Sequence, residues 1–377
     1  MLREMDDEEI ENLLDGYYSR DMHYEEGRIL GSMYTKPPDV VLKSFFKFYQ
    51  ANLGNAGLYP GTAELEREVV KFLLKLTSGS EDFYGRIVSG GTEANITALW
   101  AAREMGYSRI LTTEDAHFSV TKAAKLLKIP LKRLEVKNGI MDIDALSSEL
   151  RRGDIVVLTA GTTPLGLIDP IEEVSKLCDE GCYLHVDAAF GGYVIPFLRE
   201  LGHTDKKFGF DVENVMSVTI DPHKMGMAPY PAGGLVAREN LFERIAVDAP
   251  YLMGGKSDTL LGTRQSGSVA AAYAAILHFR WEGYRKVVKE CMDRAEYMVK
   301  RAEEEGFDVP FKPEMNIVNI GLKDVRKAKE ILLTRGWGIS TNPKYSTVRI
   351  VVMPHVTREV IERFLEELKN IKRDYGL

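Results

Sequence analysis

Several protein classes are excluded by what this sequence lacks. Three cysteines (Cys178, Cys182, Cys291) in 377 residues cannot build a disulfide framework. No Cys or His pair follows Cys178 and Cys182 at zinc-ligand spacing, so they read as reduced thiols of a cytoplasmic protein, and no metal is expected. No apolar run approaches the ~20 residues of a membrane span. The opening residues are acidic and lack the apolar centre of a signal peptide, so no export is expected. Basic clusters are missing as well. Lys plus Arg number 49 against 56 Asp plus Glu, a formal net charge of −7. That balance excludes a broad nucleic-acid face or an anionic-membrane anchor, yet it leaves room for a local phosphate or carboxylate pocket. There is neither an internal repeat nor a low-complexity segment. What is present is a globular composition, 45% hydrophobic and 28% charged, in a chain long enough for two domains.

Residues 4 to 18 read as a short acidic helix, followed by a long, irregular, aromatic stretch through Gly61. Such stretches are often binding loops. A helix with apolar spacing at Leu65, Val69, Phe72, Leu73 and Leu76 comes next. From residue 86 short β-branched runs alternate with helical patterns. The runs are Arg86–Ser89, Arg109–Thr113, Lys132–Val136, Asp154–Ala160, Cys182–Asp187, Val215–Ile220 and Gly233–Ala237. The intervening helices include Thr92–Met105 and Glu172–Glu180. This is the pattern of an α/β protein with a mostly parallel, seven-stranded sheet covered on both faces. The loop between the last two runs is too short for a helical crossover, so one antiparallel strand is expected there. A helical stretch from Val269 to Glu305, with Gly283 its one strong breaker, leads to a smaller C-terminal α/β unit. Its elements are Asn316–Gly321, Val325–Arg335, Thr347–Val352 and Arg358–Lys372. The expected division is an N-terminal segment (1–60), a large domain (61–275) and a small domain (276–377).

Three places carry chemistry. Ser89-Gly90-Gly91-Thr92-Glu93-Ala94-Asn95 joins a strand end to a helix start, where close backbone approach and free N–H groups suit a phosphate. Tyr183-Leu184-His185-Val186-Asp187 ends a buried strand on a carboxylate, which needs a cation or hydrogen bonds to be stable there. Ser217-Val218-Thr219-Ile220-Asp221-Pro222-His223-Lys224 ends another strand on a lysine whose amine, partly stripped of water, suits a Schiff base. Read singly, each has a plainer account: a tight turn with Thr92 as N-cap, an Asp187 held by backbone N–H groups, and a surface Lys224. His185 shares a strand face with Asp187 but has no third ligand for a metal. Asp169-Pro170-Ile171-Glu172 reads as a helix capping box. Together, the loop, the carboxylate and the lysine match pyridoxal 5'-phosphate, which offers a phosphate, a pyridine nitrogen and an aldehyde. Asp115-Ala116-His117-Phe118-Ser119 could stack an imidazole on its ring. Thr159-Ala160-Gly161-Thr162-Thr163 could reach the ring edge.

The chain resembles the group II pyridoxal-phosphate-dependent amino-acid decarboxylases of the fold-type I transferase fold, most of all the archaeal L-tyrosine/L-aspartate decarboxylase family. The matching motifs run in order through nearly the whole chain. They include Asn52-Leu53-Gly54, Pro60-Gly61-Thr62, Ile87-Val88-Ser89-Gly90-Gly91-Thr92, Ala116-His117-Phe118-Ser119, His185-Val186-Asp187-Ala188-Ala189, Asp221-Pro222-His223-Lys224, Leu261-Gly262-Thr263-Arg264 and Arg349-Ile350-Val351. The resemblance implies Lys224 as the Schiff-base lysine, Asp187 as the partner of the pyridine nitrogen and His117 as the stacking ring. Gly91, Thr92 and His223 would line the phosphate side, with Thr159, Thr162 and Ala189 as further cofactor contacts. Gly262 and Thr263 resemble a segment that reaches the partner subunit's phosphate, which implies a homodimer with shared sites. Arg349 and Tyr59 are the expected substrate contacts, for an amino acid that is tyrosine (feeding methanofuran synthesis) or aspartate (feeding coenzyme A synthesis). The loop tyrosine of animal aromatic-amino-acid decarboxylases, which protonates the substrate, has no counterpart in the short stretch Met253–Asp258, and nearby Tyr251 is open to a packing role. An aminotransferase, or a carbon–carbon lyase similar to the sphingosine-phosphate lyases, is the competing class.

Overall fold

The computed structural model describes residues 4–178 and 181–377. Helix α1 (Asp7–Tyr18) opens on a capping box, Asp6 with Glu9, but buries no residue. It is followed by α2 (Asp39–Lys47) and α3 (Pro60–Leu76). Helix α3 starts on a proline and buries Val69, Leu73 and Leu76 of its expected stripe, together with Val70 and Leu74, while Leu65 and Phe72 are only partly buried against the same core.

The alternating region follows: β1 (Tyr84–Val88), α4 (Gly91–Glu104), β2 (Arg109–Thr113), α5 (Phe118–Leu127) and β3 (Leu131–Leu134). The hairpin β4 (Val136–Lys137) and β5 (Ile140–Met141), then α6 (Ile143–Glu149), β6 (Asp154–Thr159) and α7 (Ile171–Leu177) come next. After β7 (Tyr183–Asp187) and α8 (Ile195–Glu200) the chain adds β8 (Val215–Ile220), β9 (Gly233–Ala237) and α9 (Leu241–Arg244). Seven strands form one sheet in the order β1-β9-β8-β7-β6-β2-β3. Neighbours from β8 to β3 are parallel, whereas β9 is antiparallel to both β8 and β1. The short connection after β8 thus has the expected effect. β6 and β7 are buried at every position, as a sheet covered on both faces requires.

A two-residue ribbon, β10 (Val247–Asp248) with β11 (Lys256–Ser257), precedes α10 (Ser266–Glu304). The break in α10 falls at Arg280 (φ 52°), three residues before the expected breaker Gly283. Its first half packs Ala271 and Ala275 against Val41 of α2, and its second half packs Ala295, Met298 and Ala302 into a separate core. Residues on both sides of the break, Val269 and Ala272 before it and Tyr284, Val288 and Met292 after it, also share the main core. The separate core joins α10 to β12 (Ile317–Gly321), α11 (Val325–Thr334), β13 (Ser340–Asn342), β14 (Thr347–Val351) and α12 (Arg358–Tyr375). The small sheet runs β12-β14-β13, and the N-terminal segment borders it: Leu30 accepts from Val351 N–H and donates to Gly338 O.

Three expectations change. Cys178 and Cys182 pair as a disulfide rather than standing as reduced thiols; with α7 ending at Leu177 and β7 starting at Tyr183, their Cα atoms lie 5.2 Å apart, inside bridging range. Cys291 is free and buried, and desolvation pushes its thiol up to about 12. Asp169 forms no capping box, since α7 begins at Ile171 without a side-chain cap. Its carboxylate instead accepts from Met141 N–H (2.8 Å) and Thr159 N–H (2.7 Å). Helix 172–180 is observed over Ile171–Leu177, and its last two residues, 179 and 180, lie outside the described residues.

Candidate active site

The carboxyl ends of β6, β7 and β8 face the N-terminus of α4 across a cavity of about 480 Å³. That is the crevice in which open α/β sheets bind ligands. Gly90 caps α4 and Gly91 is its first residue. A Cβ on Gly91 would meet Asp221 Oδ2 at 3.0 Å and the Ala189 Cβ at 3.1 Å. A Cβ on Gly233 of β9 would fall 2.4 Å from Gly90 Cα. The cradle exists only because neither position carries a side chain, and its first helical N–H groups are left for an anion.

Lys224, just past β8, lines the cavity with its Nζ 3.2 Å from Asp221 Oδ2. The same oxygen lies 3.5 Å from His223 Nε2, while His223 Nδ1 accepts from Ala232 N–H at 3.2 Å. Burial holds the His223 imidazole below its ordinary pKa. Asp187 ends β7, buried, with Oδ1 accepting from Ala189 N–H (3.1 Å) and Oδ2 from Asn95 Nδ2 (2.7 Å). His117 is the N-cap of α5 and also lines the cavity; desolvation lowers its pKa too. Tyr230, at the mouth, stacks on Tyr34 (centroids 4.2 Å apart) and tilts against His223 (4.7 Å). Burial pushes the Tyr34 phenol up to about 12.

Of the expected residues, Gly91, Thr92, His117, Thr159, Asp187, Ala189, His223 and Lys224 all line this one cavity. Thr162 does not. Its hydroxyl accepts from Leu167 N–H (3.1 Å) to close a turn, and Thr163 lines the cavity in its place. Thr263 borders a separate cavity of about 110 Å³ that shares Ser89 and Glu93 with the first. Gly262 packs on the N-terminal segment, its carbonyl against Gly54. Tyr59 ends the short helix Leu53–Leu58 and is not among the lining residues, and Tyr251 is 85% exposed. Arg349 is buried on β14, its Nη1 directed to Gly31 O at 3.4 Å, and no carboxylate pairs with it among the described residues. Gly31 lies two residues before Met33, which does line the cavity. His185 is fully buried against Asn95 and Ser217.

Asp221 and Asn95 were given no role from sequence, although both sit inside the motifs that drew attention. A second acid three residues before the lysine was the available signal for Asp221.

The residues present fit pyridoxal phosphate. An amine, a buried carboxylate, an imidazole and a helix N-terminus converge on one cavity. Two lining residues, Asp221 and Thr159, keep buried oxygens (Oδ1 and Oγ1) without a partner among the described residues. Residues 51–323 match the pyridoxal-dependent decarboxylase conserved domain. The chain is 42% identical to the L-aspartate/L-glutamate decarboxylase of Pyrococcus horikoshii and 41% identical to the L-aspartate decarboxylase of Thermococcus kodakarensis, covering 97% of both chains in each case. It is also 42% identical to a Methanococcus maripaludis protein named "Probable L-tyrosine/L-aspartate decarboxylase", over 98% of this chain and 100% of that one. Among solved structures, the Burkholderia pseudomallei sphingosine-1-phosphate lyase superposes with a TM-score of 0.89 at 24% identity, covering 99% of this chain and 92% of that one. The Lactobacillus brevis glutamate decarboxylase gives 0.88 at 19%, covering 99% and 94%. These two likenesses show the fold, the fold-type I architecture. Taken with the domain match and the archaeal relatives, they establish that the chain belongs to the pyridoxal-dependent decarboxylase family, as an enzyme that uses pyridoxal phosphate to decarboxylate an amino acid.

Proposed function

We propose that the substrate is L-aspartate, converted to β-alanine of the kind coenzyme A synthesis consumes, by a cytoplasmic homodimer of archaeal type. The observation that carries this is Arg349. A buried guanidinium without an acidic partner is costly, and burial lowers its pKa to about 10. Every amino acid brings a carboxylate, but that one leaves as CO2, whereas aspartate keeps a second as a bidentate counter-ion for Arg349, whose Nε is among the buried atoms without a partner. Relatives of 41–42% identity named for aspartate decarboxylation support the same choice.

Bound pyridoxal phosphate supplies an aldehyde that takes the substrate amine and a pyridine ring that holds the electron pair left when CO2 departs, until a proton takes its place on the carbon. The chain does the rest. Lys224 would hold the cofactor through its amine, which also suits it to free the product amine. Asp187 would keep a proton on the ring nitrogen, His117 would pack on the ring face, and Gly91, Thr92 and His223 would hold the phosphate. The apolar walls given by Met33, Phe118, Ala189 and Phe190 keep water from the leaving carboxylate and favour loss of its charge.

Homodimerisation is supported by α1, whose Ile10, Leu13, Leu14, Tyr17 and Tyr18 are all exposed. It is supported too by Gly262 and Thr263, which stand apart from their own chain's main cavity, as expected of residues serving the site of a second copy.

Incubation with each of the twenty amino acids, scoring CO2 and amine, tests the reading. β-Alanine from L-aspartate supports it, and a keto acid without CO2 overturns it. Lys224→Ala should lose both turnover and the cofactor's absorption band. A second reading, L-tyrosine to tyramine for methanofuran synthesis, is favoured by the Tyr34–Tyr230 stack at the mouth, and tyramine in the same assay would select it.

A further inference from the structure

Asn95 lies in the second turn of α4, fully buried, and its amide makes four hydrogen bonds. Nδ2 donates to Asp187 Oδ2 at 2.7 Å and to Ser119 Oγ at 2.8 Å. Oδ1 accepts from Thr219 Oγ1 at 2.7 Å and meets His185 Nε2 at 3.0 Å. A carboxamide has two N–H donors and two acceptor sites, so all four are used. The opposite flip would press Oδ1 against a carboxylate.

These directions propagate. Because Oδ1 can only accept, His185 donates from Nε2. Its Nδ1 is then an acceptor and takes the Ser217 hydroxyl at 2.8 Å. Ser217 Oγ in turn accepts from Tyr183 OH at 2.8 Å. Every donor along Tyr183, Ser217, His185 and Asn95 therefore points toward Asp187, an acceptor-only group. Burial pushes the His185 pKa down to about 4, so the imidazole in this chain is neutral at neutral pH. On the other limb, Ser119 Oγ accepts from Asn95 and donates to His117 Nδ1 at 2.9 Å. His117 Nδ1 also accepts from Ser119 N–H at 3.3 Å, so the proton of a neutral His117 is placed on Nε2 by two donors of Ser119. One amide thus orders Asp187 directly and, through the Ser119 hydroxyl, adds to the hold on His117.

We propose that Asn95 is a positioning residue: it holds Asp187 in the orientation and charge state that the ring nitrogen needs, and through the Ser119 hydroxyl it reinforces the His117 tautomer that the Ser119 N–H already favours. This inference rests on the preceding reading of Asp187 and His117.

The test uses holoenzyme loaded with pyridoxal phosphate carrying nitrogen-15 in the ring, and reads the ring-nitrogen chemical shift. Asn95→Asp is nearly isosteric but sets an acceptor where Nδ2 donated. The expected result is a ring-nitrogen resonance displaced toward the unprotonated pyridine value. kcat should fall about 10- to 100-fold, the usual range for losing an orienting partner, with KM within about twofold. Ser119→Ala keeps the backbone donor to His117 Nδ1, so it should leave both the ring nitrogen and the His117 tautomer where they were. An unchanged ring nitrogen in a folded Asn95→Asp overturns the proposal. If that variant does not fold, Asn95→Ala takes its place, and an unchanged ring nitrogen there overturns it. Asp187→Asn separates the two readings. If it leaves the ring nitrogen protonated, the role of Asp187 fails and this inference with it. If it displaces the resonance while Asn95→Asp does not, only the role of Asn95 fails.

Discussion

At the scale of single residues, a strand that ends on a charged side chain makes a burial problem that a bound ligand or a polar network must answer. His185 shows its size. Its pKa is about 4 when folded because desolvation disfavours the cation. As pH falls from about 6.5 toward 4 the unfolded chain takes up a proton that the folded chain refuses, so stability is lost on the acid side, about 3 kcal/mol over the window. Asp169, raised by burial to about 6, acts in the opposite sense: its contribution is present in acid and lost as pH rises through 6. Urea unfolding of wild type and His185→Gln at pH 7 and pH 4.5 isolates the imidazole. The variant should lose about 2 kcal/mol less across that interval. That Lys224, Asp187 and His117 meet at one cavity was legible in the sequence because each ends or follows a β-branched run, where a strand's carboxyl end must lie. Asn95 was not, since its importance depends on partners 24, 90, 92 and 124 residues away.

At the scale of elements, β9 packs closely on the loop before α4, the cradle proposed for the phosphate. Gly233→Ala places a methyl group within 2.4 Å of Gly90 Cα. Overpacking of this kind costs about 1–3 kcal/mol, so spectrophotometric titration with pyridoxal phosphate should show affinity weakened about tenfold or more. The seven large-sheet strands were legible from β-branched runs because two-sided burial leaves little choice of residue. The β4–β5 hairpin was missed, although Asn138-Gly139, both at positive φ, is a strong turn signal. The break in α10 falls at Arg280, where no breaker residue stands, and not at Gly283. Asp169 had the right spacing for a cap, but two backbone N–H groups on β5 and β6 claimed its carboxylate first.

At the scale of the whole molecule, distant segments are tied at a few points. Lys344 of the small domain binds Glu114 (2.6 Å) and Asp115 (2.8 Å), two residues before His117. Sedimentation should give twice the chain mass, and deletion of residues 4–18 should raise the dissociation constant of that dimer by at least tenfold. Arg264 holds Glu66 of α3 and also donates to Ile87 O and Leu53 O. Both partners are buried, so Glu66→Ala strands a cation and should cost about 3–5 kcal/mol in the urea midpoint analysis. The same grip orders biosynthesis. β1 leaves the ribosome early, yet its sheet neighbour β9 and the guanidinium that neutralises α3 emerge some 150 to 200 residues later. Nascent chains stopped before residue 233 should carry an unpaired edge and an uncompensated acid, stay protease-sensitive, and depend on chaperones until the last third of translation.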